Sequence, residues 1–408
     1  MPGKPAYVIA GASLAGAKAA QTLREEGFDG SVVLIGSEEL APYERPPLSK
    51  GFLLGKEEAD SAYVHEEGWY AANDVDLRLG VTVRAIDRDA RQLTLSAGDP
   101  VSYDKLLITT GASARRLAVP GGGLDGVLYL RSLADSQQLK TALSGGGRVV
   151  IAGAGWIGLE TAAAAREYGC EVTIVEPESG ALYRSVGPEL GEVFAGLHRS
   201  HGVVFRFGEG VAEIRGSGGK VTGVVTSADE ELPADLVIAA IGVVPNDALA
   251  AAAGLDTDNG IVADEALRTS DPGIFAAGDV ANAFNPLLGR RIRVEHWGNA
   301  LAGGPAAARS MLGRDVSYDL VPYFFSDQYD LGMEAAGLPE PGNYDQVAYR
   351  GDPETLEFIA FWLSDGAVVA GMNINVWDVN DDIQALIRAG DSVDISRLED
   401  PDVPLTEL

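Results

Sequence analysis

The stretch Gly153-Ala154-Gly155-Trp156-Ile157-Gly158 leaves the chain few ways to fold around it. It is a complete G-x-G-x-x-G, set between a strand-like run, Arg148–Ala152, and a helix-like run, Ile157–Tyr168. In such a strand–turn–helix the first glycine, Gly153, makes the tight turn. The second, Gly155, lets a pyrophosphate approach the helix N-terminus, and the third, Gly158, lets helix and strand pack closely. The next strand, Glu171–Val175, ends at Glu176, 23 residues after Gly153. A carboxylate there accepts both hydroxyls of an adenosine ribose and repels a 2′-phosphate, so NADH or FAD is expected over NADPH.

The pattern occurs twice. Gly11-Ala12-Ser13-Leu14-Ala15-Gly16 follows the apolar run Ala6–Ala10 and opens an alanine-rich helical stretch, Leu14–Arg24, with a second strand at Ser31–Gly36. Serine stands where the middle glycine is expected; it is small, but it takes some of the space. Glu38, just past the second strand, is the candidate ribose acid, with Ser37 beside it. Gly11 and Gly153 lie 142 residues apart, a duplicated architecture rather than a short repeat. Two such units imply two dinucleotides, most economically a flavin held permanently and a nicotinamide that exchanges. Strand ends at Thr109 and Ala277 flank the second unit, so the first nucleotide domain is expected to be interrupted by it. The expected division is 1–115 with 245–320, then 116–244, then a smaller domain over 321–408. In that last part Leu356–Leu363 and Gly366–Met372 read as strands about a Ser364-Asp365-Gly366 turn, and Asp381–Ala389 as a helix. The fold class is α/β, with two Rossmann-like dinucleotide-binding domains and a smaller C-terminal α+β domain.

Composition narrows the function. The chain has 408 residues, is 46% hydrophobic and carries a net charge of −29. The apolar content excludes a disordered acidic segment. The charge argues against binding a nucleic-acid backbone or an anionic membrane surface, though backbone amides still bind a pyrophosphate. Residues 315–408 hold 20 acidic side chains and 3 arginines, a net of −17, and no lysine follows Lys220. No apolar run reaches the roughly 18 residues of a membrane span. Met1–Pro5 leads into a strand-like run with no secretory apolar region. The single cysteine, Cys170, permits no intrachain disulfide and no dithiol motif, and a reducing cytoplasm is expected.

Four stretches carry a family resemblance: "GASLAG", "PYERPPLSK" (Pro42–Lys50), "GAGWIGLE" (Gly153–Glu160) and "IFAAGDVA" (Ile274–Ala281). "VEHWGNA" (Val294–Ala300) fits with them. The chain resembles FAD-dependent members of the pyridine nucleotide–disulfide reductase superfamily, which are glutathione-reductase-like in fold. It is more closely similar to the NADH-dependent ferredoxin, rubredoxin and putidaredoxin reductases that serve oxygenases. The resemblance implies that Arg45 and Lys50 lie by the isoalloxazine, Lys50 near N5. Asp279 would bond the ribityl or pyrophosphate region of FAD, and Arg131 and Val83 would also contact FAD. Glu160 would approach the nicotinamide amide, Glu176 and Arg184 would hold the NADH adenosine, and Ile157 and Gly242 would complete the NADH contacts. Trp297, with Trp377, would cover the flavin edge where the electron partner docks. Lys50, Glu160 and Trp297 are thus the candidate catalytic residues, and a cation near flavin N1 or N5 stabilises an anionic reduced ring.

The Pro42–Lys50 segment lacks the cysteine that the peroxide- and oxygen-reducing branch needs there, and Cys170 reads as structural. Electrons must then leave the flavin directly, and the expected activity is NADH:ferredoxin reduction. The resemblance implies a [2Fe-2S] ferredoxin as partner, feeding a cytochrome P450 or a ring-hydroxylating oxygenase. Two other readings stay open: reduction of rubredoxin, oxygen or a small acceptor, and an NADH-sensing interaction flavoprotein of the apoptosis-factor type. Arg290, Arg291 and Arg293 form the candidate docking patch in an otherwise acidic chain. A monomer or weak homodimer is expected. His198 and His201 have no evident partners for a metal site, so none is expected. His65 reads as an exposed or capping residue, and His296 as either a flavin neighbour or a packing residue.

Overall fold

The computed structural model describes residues 4–408. The chain forms two compact units. The first comprises Met1–Glu44, Ala59–Ser113 and Val244–Pro322; the second comprises Arg45–Glu58, Ala114–Val243 and Tyr323–Leu408.

The first unit is built on a five-stranded parallel sheet in the order Ile274–Ala276, Lys105–Ile108, Ala6–Ala10, Ser31–Ile35, Val75–Arg78. Parallel strands covered on both faces read as continuous apolar runs, as these do apart from the edge strand Val75–Arg78. Their side chains alternate between two cores. Ile9, Leu34, Leu107 and Phe275 enter one, and Val8, Val33, Ile108 and Ile274 the other. Alanines and glycines let the helices Leu14–Glu25 and Trp297–Met311 cross closely, since a Cβ on Gly304 would lie 2.2 Å from the Ala15 carbonyl oxygen. The strand Ile274–Ala276 pairs in register with Lys105–Ile108, so the first sheet is completed by chain that returns after the second glycine turn.

The second unit repeats the plan with a parallel sheet ordered Val204–Phe207, Glu171–Glu176, Arg148–Ala152, Leu236–Ala239, Val127–Leu128. It also contains a five-stranded antiparallel sheet ordered Tyr323–Gln328, Leu331–Gly337, Ala367–Ile374, Glu357–Ser364, Gln346–Asp352. The expected hairpin is present, with Asp365 and Gly366 both at positive φ, as a two-residue turn of this hand requires. The helix Asn380–Ala389 follows. Leu159, Phe194 and Ile238 of the nucleotide-type half share one apolar core with Met333, Phe358 and Trp362 of the antiparallel sheet. The compact units therefore cut the chain differently from the three-way division expected from sequence. Residues 45–58 group with the second unit, and 323–408 are fused to it by a common core. Among the described residues no helix is long and apolar enough to cross a membrane.

Candidate active site

Both glycine turns are formed by the same contacts. Gly11 (φ +127°) and Gly153 (φ +102°) sit where a Cβ would lie 2.1 Å from the Thr109 carbonyl oxygen and 2.4 Å from that of Ala240. The third glycines, Gly16 and Gly158, each back onto the carbonyl oxygen of the first at 2.1 Å from a notional Cβ. Each turn is closed on its neighbouring strand, Gly11 N–H to Ile35 O at 2.8 Å and Gly153 N–H to Val175 O at 2.9 Å.

Ahead of each turn is a helix whose first amides receive no side-chain cap. Ser13 and Gly155 are the N-cap residues, and neither provides one. A Cβ at Gly155 would meet nothing within 4 Å. Uncapped amides facing open space at a helix N-terminus suit a pyrophosphate. Ile157, in the first turn of the second helix, is 41% exposed, enough to offer an apolar contact to a bound group. Gly242 (φ +86°) follows the strand Leu236–Ala239 and accepts from Arg115 N–H at 2.9 Å.

Glu176 is pinned by backbone. Its Oε2 accepts from Ala154 N–H at 2.7 Å and its Oε1 from Glu178 N–H at 2.9 Å. Arg184 is largely exposed and donates from Nε to Glu178 Oε1 at 2.6 Å, so it joins Glu176 only through Glu178. Glu38 has a different setting: its Oε2 accepts from the Tyr43 hydroxyl at 2.5 Å, and Ser37 beside it is exposed.

Lys50 and Glu160 meet. The ammonium donates to Glu160 Oε1 at 2.5 Å, and the carboxylate is 5% exposed. Ser49 donates to Glu160 Oε2 at 2.5 Å and Ser326 to Oε1 at 2.6 Å, while Lys50 Nζ stands 5.4 Å from the Phe325 ring centre. A buried carboxylate is tolerated where it is paired and its lone pairs are filled, as here. Arg45 reaches the same loop system by donating to the Arg131 carbonyl oxygen, and Arg131 N–H donates to Asp135 Oδ2 at 3.1 Å. Arg45, Lys50, Arg131 and Glu160 thus all belong to the second unit. Sequence reasoning missed Ser49 and Ser326. Ser49 adjoins Lys50 and was within reach, whereas Ser326 carries no local signal.

In the first unit, Asp279 lies in a short 3-10 turn, Gly278–Val280, after the strand Ile274–Ala276, and its carbonyl oxygen accepts from Arg293 at 3.2 Å. Val83 opens a strand, Val83–Asp87, and packs on the edge of a core. Trp297 begins the helix Trp297–Met311 and donates from Nε1 to Glu44 Oε2 at 3.1 Å. His296 caps that helix, accepting at Nδ1 from Gly298 N–H at 3.3 Å. Trp377, in the second unit, is 54% exposed.

Two expectations need correction. Arg290 and Arg291 are exposed on a strand, but the Arg293 side chain is turned inward. It is 10% exposed and paired with Glu295 at 2.5 Å, so the patch has two outward arginines, not three. His65 neither caps nor stands exposed. It is half-buried and stacks on Trp69 with ring centres 3.8 Å apart, and burial pulls its pKa down. His198, for which no metal site was expected, is buried with Nε2 2.8 Å from Gln328 Oε1.

Residues 5–304 match the family described as pyridine nucleotide-disulphide oxidoreductase, and residues 323–408 that described as reductase C-terminal. The chain is 41% identical to the ferredoxin–NAD(+) reductase component of an anthranilate 1,2-dioxygenase system from Burkholderia cepacia, over 98% of each chain. It is 38% identical to putidaredoxin reductase of Pseudomonas putida, over 98% of this chain and 96% of that one. The reductase in a crystal structure of a covalent putidaredoxin reductase–putidaredoxin complex superimposes with a TM-score of 0.94, at 37% identity, covering 99% of this chain and 98% of that one.

Proposed function

Because the chain belongs to the pyridine nucleotide-disulphide oxidoreductase family, whose members of this kind use FAD and NADH, we propose that it is an NADH:ferredoxin reductase of an oxygenase system. FAD supplies acceptance of a hydride from NADH and release of the two electrons one at a time. The observation that carries the reading is the single cysteine. Cys170 is fully buried, its sulfur 3.6 Å from the Leu143 carbonyl oxygen, and burial raises its pKa. The chain has no dithiol to reduce, so a one-electron protein acceptor fits it better than a disulfide substrate does.

In this reading Gly11, Ser13 and Gly16 hold the FAD pyrophosphate, with Ser37 and Glu38 on its ribose and Val83, Arg131 and Asp279 as further contacts. Gly153, Gly155 and Gly158 hold the NADH pyrophosphate, with Ile157 and Gly242 alongside. Glu176 and Arg184 take the adenosine, Glu176 already oriented by two amides. Lys50, with Arg45, supplies positive charge for the reduced isoalloxazine, and Glu160 accepts from the nicotinamide carboxamide. Trp297 offers an aromatic edge for electron exit. The functional division is an FAD domain over 1–115 and 245–320, an NADH domain over 116–244 and a C-terminal domain over 321–408. The partner would be a [2Fe-2S] ferredoxin met through Arg290 and Arg291, and the setting cytoplasmic.

The test is an anaerobic screen of the purified flavoprotein with NADH or NADPH against ferredoxins, rubredoxins and small acceptors. Fast NADH-driven reduction of a [2Fe-2S] ferredoxin is expected. Equal use of NADPH, or turnover with oxygen that exceeds every protein acceptor, would refute the assignment.

A further inference from the structure

Beyond the Lys50–Glu160 pair, the second unit contains a chain of buried polar side chains that ends on Glu160. Ser326, Gln328 and His198 are essentially inaccessible to solvent. Gln328 Nε2 lies 3.0 Å from Ser326 Oγ, Gln328 Oε1 lies 2.8 Å from His198 Nε2, and the Tyr329 hydroxyl lies 3.3 Å from His198 Nδ1. The direction of every bond follows from what each group can donate. A carboxylate only accepts, so the one hydroxyl proton of Ser326 goes to Glu160. Ser326 Oγ must then accept from Gln328, which turns the amide NH2 toward the serine and the carbonyl toward His198. That carbonyl only accepts, so His198 carries its proton on Nε2 and leaves Nδ1 to accept from Tyr329.

Every donor in the series points toward Glu160, and bonds so aligned polarise one another in a low-dielectric interior. Burial holds the His198 pKa down to about 4, which keeps the ring neutral as the series requires. The far end is anchored at some cost. Tyr329 sits at φ +55°, a strained setting for an aromatic residue, with its ring stacked on His201 at 3.7 Å and edge-on to His198 at 5.1 Å.

We propose that Ser326, Gln328 and His198 are positioning residues that fix the Glu160 carboxylate toward Lys50, and so set the rate at which NADH reduces the flavin. The proposal rests on the NADH-dependent activity inferred above. Without the serine proton, Oε1 keeps only Lys50, and the carboxylate is free to leave the geometry that Ser49 and Ser326 jointly impose.

The test combines a spectroscopic and a kinetic measurement on the FAD-loaded protein. With 15N-labelled histidine, the His198 ring, assigned by its loss in His198→Gln, is expected to be neutral and protonated on Nε2 between pH 6 and 8. In Ser326→Ala the Gln328 amide is released, and the His198 nitrogen shifts are expected to move. A proton on Nδ1, or a His198 signal indifferent to Ser326→Ala, would overturn the proposal. In anaerobic stopped flow, Ser326→Ala is expected to slow limiting flavin reduction by about tenfold, while ADP-ribose affinity by calorimetry stays within about twofold. Ser326→Thr, which keeps the hydroxyl, is expected to recover most of the rate. Wild-type reduction in Ser326→Ala, or equal losses in Ser326→Ala and Ser326→Thr, would also overturn it. A wild-type flavin that NADH does not reduce would instead refute the activity, leaving the histidine measurements to decide the connection.

Discussion

The two glycine turns are alike in backbone and unlike in the acid that serves them. In the first sheet Ala10 pairs with Ile35, and in the second Ala152 pairs with Val175, which makes Gly36 the counterpart of Glu176. Glu176 bonds back to its own turn through Ala154 N–H. Gly36 packs against the matching residue instead, a Cβ there falling 2.5 Å from Ala12 Cβ. The nearest acid of the first unit, Glu38, comes two residues later and accepts from the Tyr43 hydroxyl. One acid is oriented before any ligand arrives, which lowers the ordering cost of binding a molecule that comes and goes. In the first unit Gly36 takes the matching position, which would matter less for a cofactor that does not exchange.

The largest effects test the likeness. Gly11→Ala and Gly153→Ala each force a Cβ onto a carbonyl oxygen at positive φ, and each is expected to cost about 4 kcal/mol in chemical denaturation. Gly155→Ala, in open space, should change stability by less than about 0.5 kcal/mol. A Gly155→Ala as damaging as Gly153→Ala would break the account of both turns.

A second contrast lies in the histidines. The His198 pKa falls from its ordinary 6.5 to about 4 on folding, so the unfolded chain takes the proton first. Its contribution to stability is complete above about pH 6.5 and is lost as the pH falls toward 4, amounting to about 3 kcal/mol across that window. The stability gap between wild type and His198→Gln should therefore narrow between pH 6.5 and pH 4.5. The same comparison for half-buried His65 should narrow less. Thermal unfolding of the three proteins across that range checks both.

The acids themselves come next. Glu176→Ala should weaken ADP-ribose binding by about tenfold or more, a loss of about 1.4 kcal/mol by calorimetry. Glu38→Ala should speed FAD release by less than about fivefold, because Gly36 rather than an acid stands where Glu176 stands in the second unit. If Glu38→Ala sheds FAD as readily as Glu176→Ala loses ADP-ribose, the asymmetry drawn here is wrong. The smallest effect is expected from Ser13→Gly, which restores the regular turn. FAD affinity should change by less than about threefold, since Ser13 makes no cap bond of its own.

Much of this plan is legible in the residues because its determinants are local. Gly153 to Gly158, Glu176, the apolar strands and the Ser364-Asp365-Gly366 turn each act within a few positions of the element they specify. The return of the chain at Ile274–Ala276 was also legible, since only a buried strand explains that run beside its glycine turn. What lies hidden depends on distant pairing. Glu160 needs Ser326, which is 166 residues away on an antiparallel strand and indistinguishable in sequence from any strand serine. Arg293 looks like part of a basic cluster until Glu295 turns it inward. The offset of Glu38 was hidden too. The loop Glu26–Gly30 is longer than its counterpart Tyr168–Cys170, so counting from the glycines locates an acid but not its register against the turn.

The shared apolar core of the second unit also sets the grain along which the protein can be recombined. Exchanging residues 323–408 with those of a relative, in the hope of changing the electron acceptor, would cut between Phe194 and Trp362, side chains of one packed interior. Such a hybrid inherits two half-cores that never adjusted to each other. A graft that carries 45–58 and 114–243 together with 323–408 keeps its jigsaw intact, so the smallest exchangeable piece is larger than the C-terminal sheet alone.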